Sequence, residues 1–146
     1  MIAIDTNLLV YAHREDSPWH TQALKVVMEL AEGGSRWGIP WPCVHEFLAI
    51  VTHPKIYRPP TPSDIALQSM KAWLGSPSIQ LLGEGIDHMS RLELLVLNGK
   101  ISGATIHDAR IAAICLSHGV KELWSADRDF SRFPSLRVKN PLLFLK

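Results

Sequence analysis

Short apolar runs alternate with longer amphipathic stretches along the whole chain, and this alternation limits the possible folds more than any other feature of the sequence. Ile2-Ala3-Ile4 stops at Asp5-Thr6-Asn7, where turn-forming residues gather, and reads as a buried strand. Asn7 or Thr6 can cap a short helix carrying Leu8, Leu9 and Tyr11. Ser17-Pro18 has the form of an N-cap and first helical residue for a helix reaching about Glu32 and stopped by Gly33-Gly34. Trp37-Gly38-Ile39 reads as a second strand closed by Pro40. Pro42 fits the first turn of a third helix, in which Val44, Phe47, Leu48 and Val51 share one face. The stretch from His53 to Pro62 is proline-rich and reads as a loop. Thr61-Pro62-Ser63-Asp64 then opens a helix to Leu74. Residues 78–82 form the third expected strand and 87–97 a helix with Asn98-Gly99 as its C-cap. Thr105 is the expected cap of a helix reaching His118 and ended by Gly119. Residues 122–125 form the fourth strand, and a last one lies near 137–138 or 142–145.

No internal repeat, low-complexity tract or linker interrupts the alternation, which predicts one domain over residues 1–146. The expected fold is α/β, a parallel sheet with helices on both faces. In such a sheet, ligands bind outside the carboxyl ends of the strands. Composition agrees: the chain is 47% hydrophobic and 20% charged, enough for a core and too apolar for disorder. A net charge of +1 gives no global basic field that demands nucleic acid. Cys43 and Cys115 are too far apart for a disulfide framework or a zinc knuckle, and they fit a reducing compartment. No apolar run reaches a membrane span, and the first residues lack a basic leader, so a soluble cytoplasmic protein is expected.

The strand-end rule directs attention to the acids. Asp5 ends the first strand, and Asp127 follows the fourth within Ser125-Ala126-Asp127-Arg128-Asp129-Phe130. Asp108 lies in the first turn of its helix, in line with Ile111 and Cys115. Glu46 flanks the apolar stripe of the Pro42 helix. Each has a structural alternative: Asp5 an Asx turn, Asp108 a capping box with Thr105, Glu46 a solvated face, and Asp127 or Asp129 the cap of a short turn. As a set they are more informative. Two like charges ~4 Å apart repel by about 4 kcal/mol at an effective dielectric near 20, so a converging cluster needs raised pKa values or bound cations. Oxygen-only ligands favour Mg²⁺ or Mn²⁺, and one or two such ions can activate water and stabilise the leaving oxygen of a phosphodiester. The chemistry expected is metal-assisted hydrolysis.

Asp5-Thr6-Asn7, Glu46 on a helix, His107-Asp108-Ala109 at a helix start and the Ser125–Phe130 segment together resemble the PIN-domain ribonucleases, and more narrowly the VapC toxins of type II toxin–antitoxin systems. The resemblance runs from Met1 to about Pro141, with no departure at the four acidic positions. It implies a three-layer α/β/α sandwich with a mainly parallel sheet and an endoribonuclease dependent on Mg²⁺ or Mn²⁺. The implied substrates are RNAs such as tRNA or rRNA, and the products carry 5′-phosphate and 3′-hydroxyl ends. Asp5 and Asp108 are implied as principal metal ligands, and Glu46 and Asp127 as the remaining catalytic acids. Asp129 is an additional acid, and Thr6, Asn7 and Ser125 match positions that hydrogen-bond the acids or bound water. A small antitoxin protein and a homodimer are the implied partners, with no membrane involvement.

Other residues carry weaker signals. His45 and His107 adjoin proposed ligands but point away from them, and a zinc site from Cys43 and His45 lacks two ligands. His13 and His20 need not share a face. Arg14, Lys55, Arg58, Lys100, Arg110, Arg128 and Arg132 can meet RNA phosphates or simply be solvated, and Arg128, inside the acidic segment, is the best placed. Of five tryptophans, Trp73 and Trp124 are expected in the core, while Trp19, Trp37 and Trp41 stay open between core and interface. Two other functions compete. A non-catalytic PIN-like module would bind RNA or protein without using metal. An aspartate-nucleophile phosphatase would want an acid where Asn7 stands.

Overall fold

A computed structural model describes residues 1–144. Five parallel strands form one sheet: β1 (Ile2–Ile4), β2 (Trp37–Pro40), β3 (Ile79–Leu82), β4 (Glu122–Trp124) and β5 (Val138–Lys139). Their order is β3-β2-β1-β4-β5. The helices are α1 (Thr6–His13), α2 (His20–Glu32), α3 (Trp41–Val51), α4 (Ser63–Leu74), α5 (His88–Gly99) and α6 (Thr105–Ser117), with short 3₁₀ turns at Arg128–Arg132 and Pro141–Phe144.

The path β1→β2→β3 steps outward in one direction, and β3→β4 returns past β2 and β1. Right-handed crossovers therefore put α1–α4 on one face and α5 and α6 on the other. Packing agrees: α1 lies against α2 and α3, α3 against α4, and α5 against α6. The strands are short and apolar because both faces are covered. All four residues of β2 are buried, as are Ala3, Ile4 and Leu123. Helix α6 is buried nearly all round at Ala109 and Ile111 through Cys115, so it has little amphipathic contrast. The strand order reverses between β1 and β4, which opens a crevice at their carboxyl ends.

Several helix ends differ from the expectation. Asp5, rather than Thr6 or Asn7, caps α1. Helix α2 starts at His20, because Ser17 closes a separate turn: its Oγ accepts from Trp19 N at 3.1 Å and its carbonyl from His20 N at 3.1 Å. Asn98 and Gly99 stay inside α5, and Lys100 takes the left-handed position (φ 52°). Gly99 is needed for close approach instead, since a Cβ there would lie 3.0 Å from Ile101 and 3.3 Å from the Arg132 carbonyl. Thr105 is the first residue of α6 and not its cap, and no side chain caps that helix. Leu142 and Leu143 belong to a 3₁₀ turn and not to a strand, while Leu145 lies outside the described residues.

The proline-rich loop is tied down by α1. Arg14 donates to Pro59 O at 3.0 Å and to Thr61 Oγ1 at 3.2 Å, and its guanidinium lies 4.3 Å above the Tyr57 ring. His13 bridges Thr61 Oγ1 (3.0 Å) and Ser69 Oγ (2.9 Å). His20 bonds instead to Tyr11 O. Trp37 is fully buried, with its indole donating to Ser76 Oγ at 3.1 Å. Trp73 and Trp124, expected in the core, are only partly buried.

Gly38 fixes the spacing of β2 and β3. A Cβ there would meet Leu82 Cδ1 at 2.8 Å, Leu82 Cγ at 3.1 Å and Gln80 O at 3.3 Å, and Leu82 has no exposure through which to yield. Gly38→Ala is expected to destabilise the chain by about 1–3 kcal/mol in urea unfolding.

Candidate active site

Asp5 occupies the crevice. It sits where β1 ends, its backbone N donating to Trp124 O across the sheet at 3.0 Å. Its carboxylate is 4% exposed and takes four donors. Oδ1 accepts from Thr6 N (2.8 Å) and Cys43 Sγ (3.5 Å), and Oδ2 from Ser125 Oγ (2.7 Å) and Asn7 Nδ2 (3.3 Å). The expected Asx turn, which needs a bond from the second residue on, does not form: Asp5 accepts from the next residue as the cap of α1, and this capping does not compete with a role in the site. Burial pushes the Asp5 carboxyl upward, against the hydrogen bonds from Ser125 and Thr6, and Glu46 adds to the rise.

Ser125 is the hub between β1 and the segment after β4. Besides donating to Asp5, its Oγ accepts from Asp127 N (3.0 Å) and Asn7 Nδ2 (3.2 Å). Asn7 Oδ1 accepts from Ala126 N at 3.0 Å. Asp127 then caps the 3₁₀ turn, its Oδ1 accepting from Asp129 N at 2.8 Å. Phe130, 1% exposed, pins that turn to the core and leaves Asp127 and Asp129 directed outward. Glu46 reaches the site from α3, where Thr6 Oγ1 donates to its Oε2 at 2.7 Å. All four acids, with Thr6, Asn7, Ser125 and Asp129, thus belong to one connected region.

The carboxylates of Asp108, Asp127 and Asp129 offer oxygens within 4.8 Å of one another. The Asp108 carboxyl is pushed up to about 6, by burial first and then by Asp127, Asp5, Asp129 and Glu46. The other four acids thus all bear on Asp108, and Glu46 bears on Asp5 as well. The ion pairs among the described residues are made by other acids, Asp16, Glu84, Asp87 and Glu122. Three carboxylate oxygens gathered this closely fit a hard divalent cation.

Cys43 escaped the sequence reading. Burial holds its thiol well above the usual range, so it is protonated and can donate to Asp5. The only sequence signal was its place one turn before Glu46 on the same helix. His45 stacks on Trp41 and His107 is exposed, so neither enters the site. Among the cations, Arg14 and Arg110 are engaged with Asp16 and Glu84, whereas Arg128 is exposed beside the carboxylates.

Asp108 gives a testable pH dependence. Its folded pKa of about 6 lies above the ordinary 3.8. The folded chain keeps this proton where the unfolded chain has released it, so the contribution to stability is full below pH 4 and is lost as pH rises through about 6. Without divalent ions, Asp108→Asn is expected to raise Tm by about 3 °C at pH 7.5. The difference should vanish below pH 4, as thermal melts in chelator can check.

Comparison with known proteins agrees with this geometry. The PIN domain pattern matches residues 2–136. Ribonuclease VapC43 of Mycobacterium tuberculosis is 34% identical over 142 residues, covering 97% of this chain and 96% of that protein. Among solved structures, M. tuberculosis VapC20, a sarcin–ricin loop cleaving toxin, has a TM-score of 0.65 at 16% identity, covering 90% of this chain and 93% of the other. A toxin–antitoxin complex from Klebsiella pneumoniae has a TM-score of 0.61 at 18% identity, covering 97% and 98%. The two structures share the fold, and the sequence matches carry the kinship. The chain belongs to the PIN-domain family, among the VapC ribonucleases.

Proposed function

We propose that the chain, as a single PIN domain over residues 1–146, is a divalent-metal-dependent endoribonuclease that hydrolyses phosphodiester bonds in RNA such as tRNA or rRNA. The observation that carries this reading is the carboxylate trio of Asp108, Asp127 and Asp129 beside buried Asp5. Mg²⁺ or Mn²⁺ would be held by Asp5 and Asp108 as principal ligands, with Glu46 and Asp127 as the remaining acids and Asp129 as an additional one. Such an ion supplies charge neutralisation at the phosphate and a water of lowered pKa.

The chain's own groups do the rest. Ser125 and Asn7 fix the Asp5 carboxylate, and Ser125 also fixes the backbone that carries Asp127. Thr6 holds one oxygen of Glu46, which leaves the other to take the proton of the attacking water. Water adds to phosphorus as the P–O3′ bond breaks, and the departing 3′-oxygen takes a proton from solvent, which gives 5′-phosphate and 3′-hydroxyl ends. Arg128, one residue from Asp127, meets the RNA backbone.

On this reading the chain is the toxin of a cytoplasmic toxin–antitoxin pair, held in check by a small antitoxin protein and acting as a homodimer. Support comes from the fold it shares with the Klebsiella complex. No helix among the described residues is long and apolar enough to cross a membrane.

Two measurements test the proposal. Titration calorimetry should detect Mn²⁺ binding to the unmodified chain, and Ser125→Ala should weaken it by about 10–100-fold, because a group that orients a ligand is lost. No Mn²⁺ binding to the unmodified chain would refute metal dependence. Sequencing of RNA 5′ ends after induction should show cuts that disappear, with the growth arrest, in Asp108→Asn. Arrest that persists in that variant points to a binding module instead.

A further inference from the structure

A cavity of ≈ 750 Å³ opens beside the acidic edge and extends beyond the residues that hold the carboxylates. Resting on the ribonuclease reading, we propose that it is a nucleobase subsite, which receives an unstacked base of the RNA next to the phosphate being cut.

Three observations support this occupant. First, the cavity is continuous with the site. Ser125, Asp127 and Arg128 belong to its wall, and Asp127 is also one of the three clustered carboxylates. A nucleotide whose phosphate lies at that cluster has its base at the mouth of the cavity. Second, the lining suits a base. Trp19 presents an indole that is 44% exposed, and half-buried Tyr11 adds a second ring to the wall. Stacking on aromatic rings is the usual way proteins hold unpaired bases. Asn140 adds a fixed carboxamide: its Oδ1 accepts from Leu142 N at 3.0 Å, and its NH₂ can donate to a base edge. Third, the charge is complementary. Arg128 is exposed at the junction of cavity and carboxylates, where a flanking phosphate would pass.

The test measures binding apart from cleavage. The Asp108→Asn chain is titrated, by fluorescence anisotropy, with labelled single-stranded RNA hexamers of each base and with an abasic ribose–phosphate hexamer. At least one base-bearing hexamer should bind about tenfold tighter than the abasic one. Trp19→Ala should abolish that preference and Trp19→Phe should retain most of it. Equal binding of abasic and base-bearing hexamers overturns the proposal, as does a preference that survives both Trp19→Ala and Asn140→Ala. If Trp19→Ala keeps the base preference but loses the co-expressed antitoxin, the cavity is a protein-docking groove and the proposal again falls. Cleavage by the unmodified chain is scored separately, so its absence refutes the ribonuclease reading while the base preference still reports on the cavity.

Discussion

The buried carboxylate of Asp5 is the interaction on which the rest of the site depends. A carboxylate out of water is costly unless its oxygens are satisfied. Here they are satisfied from four directions: the first turn of α1, the Asn7 side chain, Cys43 on α3 and Ser125 beyond β4. One charged group thereby joins the first strand to elements 38 and 120 residues away. Burial raises the Asp5 carboxyl, and the bonds from Ser125, Thr6 and Cys43 oppose that rise at the point where β1 and β4 diverge.

Repulsion among the acids is the second constraint, and it opposes folding. The Asp108 carboxyl is pushed up to about 6 by burial first and then by its acidic neighbours, while the ion pairs among the described residues are formed elsewhere. The core on both faces of the sheet must carry that strain. Phe130 and Phe133, each 1% exposed with ring centroids 6.1 Å apart, anchor the turn that holds Asp127 and Asp129 against Asp108. A buried phenyl group contributes about 1.5–3 kcal/mol, comparable to the repulsion it offsets. This arrangement favours any ligand that brings positive charge, which is the electrostatic support for the metal dependence proposed above.

The architecture and most of the acidic site were legible in the sequence. Ile2-Ala3-Ile4, Trp37-Gly38-Ile39 and Glu122-Leu123-Trp124 are bounded by turn formers, and their short length already implies a doubly covered parallel sheet. Asp5 and Asp127 follow directly at strand ends. Helix boundaries were less legible, because local signals were put to other uses. Ser17 closes its own turn, Gly99 allows the chain to pass Ile101 and Arg132, and Thr61 serves His13 and Arg14 rather than capping α4. Asp129 read as secondary, since nothing in one sequence shows that a 3₁₀ turn aims it toward Asp108.

Alternating apolar periods and the spacing of turn residues determined the layers and the strand ends, because these depend on which residues can be buried locally, and the ordered acidic motifs carried the family resemblance. Only the tertiary structure decided which donors reach Asp5, that Cys43 is one of them, and that Trp19 and Asn140 enclose a cavity running up to Asp127. Those contacts join segments remote in the chain. Their existence depends on crossover handedness and side-chain packing, which no local pattern of residues encodes.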